Sequence, residues 1–176
     1  MTEIICAGFG GQGVLVAGHI LAYAGMESGK DITWYPSYGS EMRGGTANCN
    51  VKISEDEIAS PYVKNPDLLF CFNEVSIDKF EASVKSGGTM VVNSSICSPD
   101  RKFRDDIKVV LVPAGDIANE LENPRGMNIV ALGTAVKATG LFDIDYFRET
   151  IDKFFALKGK VNPKNAVCFD RGLEFA

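Results

Sequence analysis

The feature that most restricts the fold lies near the start of the chain. A short apolar run, Glu3 to Ala7, ends in Gly8-Phe9-Gly10-Gly11-Gln12-Gly13, and a helix-periodic stretch follows at once. Val14, Leu15, Gly18, Leu21, Ala22 and Gly25 recur at helical spacing, which predicts a helix from about Gly11 to Glu27. A strand that turns through Gly-x-Gly-x-x-Gly into a helix is the opening unit of an α/β domain. Glycine permits the tight turn, and the helix N-terminus brings backbone N–H groups and partial positive charge to the same point. The motif therefore predicts both an architecture and a place where an anion can sit. Close packing of helix on sheet would call for the same glycines.

The remaining chain repeats the strand–helix alternation. Asp31 to Tyr35 reads as a second strand, and Asp67 to Phe72, Thr89 to Asn93 and Ile107 to Val112 as further ones. Helices are predicted over Val75 to Val84, Gly115 to Leu121, Asn128 to Thr139 and Tyr146 to Leu157, the last capped by Asp143, with a final one over Pro163 to Leu173. Thr46 to Ser54 differs, because Ala47, Cys49, Val51 and Ile53 alternate with Asn48, Asn50 and Lys52. That pattern predicts a strand with two unlike faces, antiparallel to its neighbour. The expected fold is a single three-layer, Rossmann-like, doubly wound α/β domain over residues 1–176, its sheet mainly parallel with one antiparallel addition and helices on both faces.

Composition narrows the function classes. In 176 residues with a formal charge of −5 there is no basic footprint for nucleic acid. No apolar run approaches the roughly 20 residues that span a bilayer, and Met1-Thr2-Glu3-Ile4-Ile5 has no basic leader, so the chain reads as cytoplasmic. Five cysteines occur without a C-x-x-C pair, and Cys6, Cys49, Cys71 and Cys168 fall in apolar segments where free Cys acts as a small core residue. The lone histidine, His19, lies in an apolar helical run and reads as a packed side chain. Phe142, Tyr146, Phe147, Phe154 and Phe155 suit either a partner face or the chain's own core.

A second polar segment follows the second strand: Tyr35-Pro36-Ser37-Tyr38-Gly39-Ser40-Glu41-Met42-Arg43-Gly44-Gly45-Thr46. Arg43 can pair with a phosphate or carboxylate, Ser37, Ser40 and Thr46 can donate hydrogen bonds, and Tyr38 offers a flat ring. A dinucleotide site would also need an acid at the end of this strand to hold the ribose. Asp31 lies at the wrong end and no carboxylate follows until Glu41, which sets the nicotinamide-cofactor reading back.

The glycine turn followed by Pro36-Ser37-Tyr38-Gly39-Ser40-Glu41-Met42-Arg43-Gly44-Gly45 closely resembles the gamma subunits of 2-oxoacid:ferredoxin oxidoreductases, and Met127-Asn128-Ile129-Val130-Ala131-Leu132-Gly133 resembles a third element of that family. The likeness covers essentially the whole chain, and Glu41 to Cys49 looks most like the 2-oxoglutarate branch, with the branched-chain enzymes next. The resemblance implies a complex with alpha-, beta- and delta-type subunits. It would convert 2-oxoglutarate, coenzyme A and oxidised ferredoxin to succinyl-CoA, carbon dioxide and reduced ferredoxin. Thiamine diphosphate and iron–sulfur clusters would belong to the complex, since this chain has neither the thiamine diphosphate signature nor cluster-binding cysteines and is expected to be inactive alone. By the same resemblance Gly8, Gly10, Gly11, Gln12, Gly13, Ser37, Tyr38, Arg43 and Asn128 are the candidate contacts with coenzyme A or a diphosphate, with no catalytic residue and no metal ligand. Two other readings stay open: a nucleotide-binding oxidoreductase acting alone, and a structural subunit whose loops only touch partners.

Overall fold

The computed structural model of the chain describes residues 1–38 and 46–176, and of Tyr38 only the backbone. Ser40, Glu41 and Arg43, singled out above, lie outside the described residues. Strand β1 (Thr2–Phe9) leads through the glycine turn into helix α1 (Val14–Glu27). The helix starts three positions later than its periodicity predicts because Gly11 and Gly13 take left-handed φ angles of 97° and 74°. β2 (Asp31–Tyr38) and β3 (Thr46–Ser54) follow, then β4 (Leu68–Cys71), α2 (Glu74–Phe80), β5 (Thr89–Asn93), β6 (Lys108–Val112) and α3 (Ala114–Glu120). Helices α4 (Met127–Thr139), α5 (Ile144–Ala156) and α6 (Lys164–Leu173) complete the chain.

The six strands lie in the order β2-β3-β1-β4-β5-β6. β1, β4, β5 and β6 are parallel, and β3 runs against both β1 and β2. The alternating segment is thus the antiparallel addition its sequence calls for, and the mixed α/β sheet agrees with the expected class. Register pairs Phe9 with Thr46 and Cys6 with Cys49, so β3 begins beside the glycine turn. β2 extends to Tyr38, three residues past its predicted end, because Pro36, Ser37 and Tyr38 pair with Cys49, Asn48 and Ala47.

The helical layers are unequal. Ile4 and Cys6 of β1, with Cys49, Val51 and Ile53 of β3, share the larger core with side chains of α1, α3, α4, α5 and α6. On the opposite face Ile5, Ala7, Leu69, Cys71, Met90 and Val92 meet Ile77 and Phe80 of one short helix, α2, plus loop residues such as Val84 and Ile107. Both faces are covered, but the second helical layer is slight.

Several side chains settle where the sequence places them. Cys6, Cys49, Cys71 and Cys168 are buried, and burial pushes the thiols of Cys6 and Cys71 up, away from the reactive thiolate. His19 stacks on Trp34 at 4.8 Å and meets the edge of Phe154 at 5.0 Å. Burial, with Lys158 nearby, holds its pKa below the usual imidazole value. Phe147 and Phe154 are buried, Phe142, Tyr146 and Phe155 pack against the same core, and the Tyr146 hydroxyl donates to the Ala24 carbonyl at 2.7 Å. These aromatics serve the chain's own interior. Among the described residues no helix is long and apolar enough to cross a membrane.

Candidate functional site

From β1 the chain goes one way to β2 and β3, and it later returns to the other side of β1 to form β4. Loops leaving the carboxyl ends of β1 and β4 therefore diverge, and open α/β sheets bind ligands in the crevice this creates. The glycine turn stands at that point.

Gln12 shapes the turn. Its Oε1 accepts from the Phe9 N–H at 2.7 Å while its own N–H donates back to the Phe9 carbonyl at 3.2 Å. Its Nε2 donates to the Phe72 carbonyl at 3.1 Å, and Asn73 Nδ2 donates to Oε1 at 3.3 Å. The amide is consumed in closing the turn and pinning it to the end of β4. Gln12 thus holds the loop in shape by both ends of its side chain. Gly8 lies beneath it: a Cβ there would come within 2.7 Å of Gln12 Oε1 and 2.8 Å of Val14 Cγ2. At Gly13 a Cβ would reach 2.7 Å from Asn128 Nδ2 on top of the left-handed φ, so both backbone and space require glycine there.

Asn128 ties the turn to α4. Its Nδ2 donates to the Gly13 carbonyl at 3.1 Å across the start of both helices. Gly13 and Gly126 hold the N-cap positions of α1 and α4; neither helix has a side-chain cap, and neither has an acid in its first turn. The first turns of both helices border a cavity of about 590 Å³, and both dipoles present their positive ends to it. Its walls include Val14, Leu15, Val16, Ile129 and Phe155, and its polar lining includes Arg125, Lys160, Asn123, Asn162 and Asn165. Among the described residues no carboxylate lines it, and neither Arg125 nor Lys160 forms an ion pair. In a chain of net charge −5 this is a local positive field with apolar walls. It suits a ligand with an anionic end and an apolar arm.

Of the sequence-predicted contacts, Gly10, Gly11, Gln12, Gly13 and Asn128 line this cavity together. Gly8 supports the turn from below. Ser37 is exposed on the edge strand opposite Asn48, outside the lining, and Tyr38 closes the same strand opposite Ala47. Arg43 lies outside the described residues. Sequence reading missed Arg125, Lys160, Asn123, Asn162 and Asn165, which come from two separate stretches, 123–125 and 160–165, with no local motif between them. Among the described residues no group of three or more His, Cys, Asp or Glu side chains is placed to hold a metal ion.

The model of the pyruvate ferredoxin/flavodoxin oxidoreductase family matches residues 3–175. The chain belongs to that family. It is 39% identical to the ketoisovalerate oxidoreductase subunit VorA of Methanothermobacter marburgensis, over 99% of this chain. The chain spans only 36% of that relative's length. It is 33% identical to the 2-oxoglutarate synthase subunit KorC of Methanocaldococcus jannaschii, covering 99% of this chain and 93% of the relative. Among solved structures, the keto/oxoacid ferredoxin oxidoreductase gamma subunit of Geobacter sulfurreducens superposes with a TM-score of 0.79 at 27% identity, over 100% of this chain and 98% of the other. The resemblance to gamma subunits read in the glycine turn and the Met127–Gly133 segment is therefore the family relationship.

Proposed function

We propose that residues 1–176 form one gamma-type domain that serves as the gamma subunit of a 2-oxoacid:ferredoxin oxidoreductase, and that its share of the work is to hold coenzyme A. The observation that carries this reading is the cavity between the glycine turn after β1, the start of β3 and the start of α4, where two helix starts without side-chain caps, Arg125 and Lys160 meet and no described lining residue is acidic. Coenzyme A has the matching chemistry: phosphates for the positive end and a flexible arm for the aliphatic walls. Backbone N–H groups at Gly11 to Leu15 and the two cations would take the phosphate oxygens. Gln12 would keep the turn open to them, and Val14, Leu15 and Ile129 would exclude water from the arm. Arg43, which follows β2 in the sequence, is proposed as a further cation for the ligand. The chain would then deliver coenzyme A to partner subunits of alpha, beta and delta type, which supply thiamine diphosphate and iron–sulfur clusters and pass electrons to ferredoxin.

For the oxoacid we propose 2-oxoglutarate. The relative named as the 2-oxoglutarate synthase subunit KorC supports it, being matched over 93% of its length. A branched-chain oxoacid is the second reading, favoured by the 39% identity to VorA. The test is affinity purification of this chain under native conditions from its own cells. The eluate is then assayed for coenzyme A-dependent viologen reduction with 2-oxoglutarate, ketoisovalerate, pyruvate and indolepyruvate. Co-purifying chains with iron–sulfur absorbance and turnover of 2-oxoglutarate are expected. Turnover of ketoisovalerate instead would move the substrate to the second reading, and a lone chain without turnover would overturn the subunit role.

A further inference from the structure

Three asparagines on the inner wall of the cavity form a chain whose direction is fixed by one backbone group. The Lys164 N–H can only donate, and it donates to Asn162 Oδ1 at 3.0 Å. Asn162 must then turn its Nδ2 the other way, to Asn123 Oδ1 at 3.3 Å. Asn123 in turn donates through Nδ2 to Asn165 Oδ1 at 3.1 Å. The open end of the chain is Asn165 Nδ2, a donor with no partner among the described residues, on a side chain only 6% exposed. A chain of amides aligned head to tail polarises each member, which strengthens the donor at its end.

Asn128 presents the complementary atom. It is 2% exposed, its Nδ2 is committed to the Gly13 carbonyl, and its Oδ1 is buried without a partner. Asn128 and Asn165 line the same cavity. Buried polar groups are rarely left unpaired, so the Asn128 acceptor, with an open Asn165 donor on a residue lining the same cavity, calls for a group that answers both. A phosphate meets the donor and is repelled by the acceptor. A secondary amide gives its N–H to Asn128 and takes the Asn165 N–H on its carbonyl. Val14, Leu15 and Ile129 around it suit an alkyl chain better than a flat purine.

We infer that Asn128 and Asn165 read an amide of the pantetheine arm of coenzyme A, with the phosphates lying toward the Gly11–Gly13 turn and Arg125. This rests on the coenzyme A reading above and adds which half of the molecule the cavity takes and which side chains select it.

The test uses the full chain with its co-purifying subunits and the displacement of labelled coenzyme A at equilibrium. Two fragments compete: neutral pantetheine, which has the amides and no phosphate, and adenosine 3′,5′-bisphosphate, which has phosphates and no amide. Pantetheine is expected to displace coenzyme A, and the bisphosphate to need at least about tenfold higher concentration. Asn165→Asp keeps the acceptor for Asn123 and turns the ligand-facing donor into an acceptor. It should weaken pantetheine at least about tenfold, an effect that charge repulsion of phosphate does not explain because the fragment is neutral. Displacement by the bisphosphate alone would overturn the amide assignment and leave coenzyme A binding intact. So would pantetheine binding unchanged by Asn165→Asp. Failure of intact coenzyme A to bind the unaltered protein would remove both readings together.

Discussion

The two ends of the sheet treat charge in opposite ways. At the amino end, Glu3 of β1 is paired with Lys52 of β3 at 2.9 Å and with Lys85 at 3.1 Å, and Lys85 also reaches Asp67 at 2.8 Å. Asp67 accepts the Glu3 backbone N–H as well, at 2.8 Å. At the carboxyl end, Arg125 and Lys160 face the cavity with no carboxylate partner among the described residues. Helix starts show the same division. α2 is capped by Asn73 with Glu74 in its first turn, and α5 by Asp143 with Asp145. The starts of α1 and α4, which open on the cavity, have neither device. Uncompensated donors and cations are tolerated in a folded chain where something else comes to satisfy them. The contrast separates an end whose charges are paired within the chain from an end that leaves donors and cations open, the end proposed to hold coenzyme A.

That division is broken most sharply where one residue serves both purposes. Gly13→Val would force a β-branched side chain into a left-handed φ of 74° and onto Asn128, 2.7 Å from the Cβ position. A loss of about 3 kcal/mol in urea unfolding is expected, together with loss of coenzyme A binding. Lys52→Met acts at the amino end alone. Lys52 is 7% exposed, and its removal leaves Glu3 leaning on Lys85 only, at an expected cost of about 2–3 kcal/mol. Affinity for coenzyme A should not change, and a shift in it would erase the distinction between the ends.

Acid should act at the same place. Burial pushes the Glu3 carboxyl up, but hydrogen bonds from Lys52 and Lys85 outweigh this and hold it below the usual carboxylate value. The folded chain therefore holds fewer protons than the unfolded one in that range. The stabilisation is complete above the unfolded value and fades as pH falls through the folded one. Glu3→Gln should flatten the fall in urea midpoint between neutral pH and about pH 3, in line with the ordinary carboxylate range. An unchanged slope would place the acid sensitivity elsewhere.

The carboxyl end is tested by Arg125→Ala with Lys160→Ala. Coenzyme A affinity should fall about tenfold, steeply dependent on salt, with no change in melting temperature. The smallest effect is expected at the capped start of α5. The Asp143 side chain accepts the Tyr146 N–H at 2.9 Å, and Asp143→Ala should cost about 1 kcal/mol of stability with ligand affinity untouched.

Much of the fold was legible because local pattern and tertiary need coincide. Thr46–Ser54 and Thr89–Asn93 fall on their predicted bounds, one by its alternation and one by its apolar run. The Asp143 cap is present as read. Differences arise where a neighbour or a backbone angle decides. β2 reaches Tyr38 through pairing with β3, and the stretch read as one helix from Val75 to Val84 stops at Phe80 and tightens into a single 3-10 turn, Glu81–Ser83. In the candidate site the glycine turn and Asn128 were legible by motif. Gln12 was read as a contact and lines the cavity; that its amide also bonds Phe9, Phe72 and Asn73 was visible only in the structure.

By itself the sequence determined the alternation of strands and helices, the one strand of mixed character, the burial of four cysteines and the position of the glycine turn. Each of these is written in the spacing of neighbouring residues, at a period of two or of about 3.6 or in a run of glycines. Only the tertiary structure decided what faces that turn. Asn123 and Asn165 stand 42 residues apart, and Asn128 meets Gly13 across 115. Such pairs carry no periodic trace along the chain. They meet because α4 and α6 share the larger core with α1, and packing that core brings their first turns to one cavity.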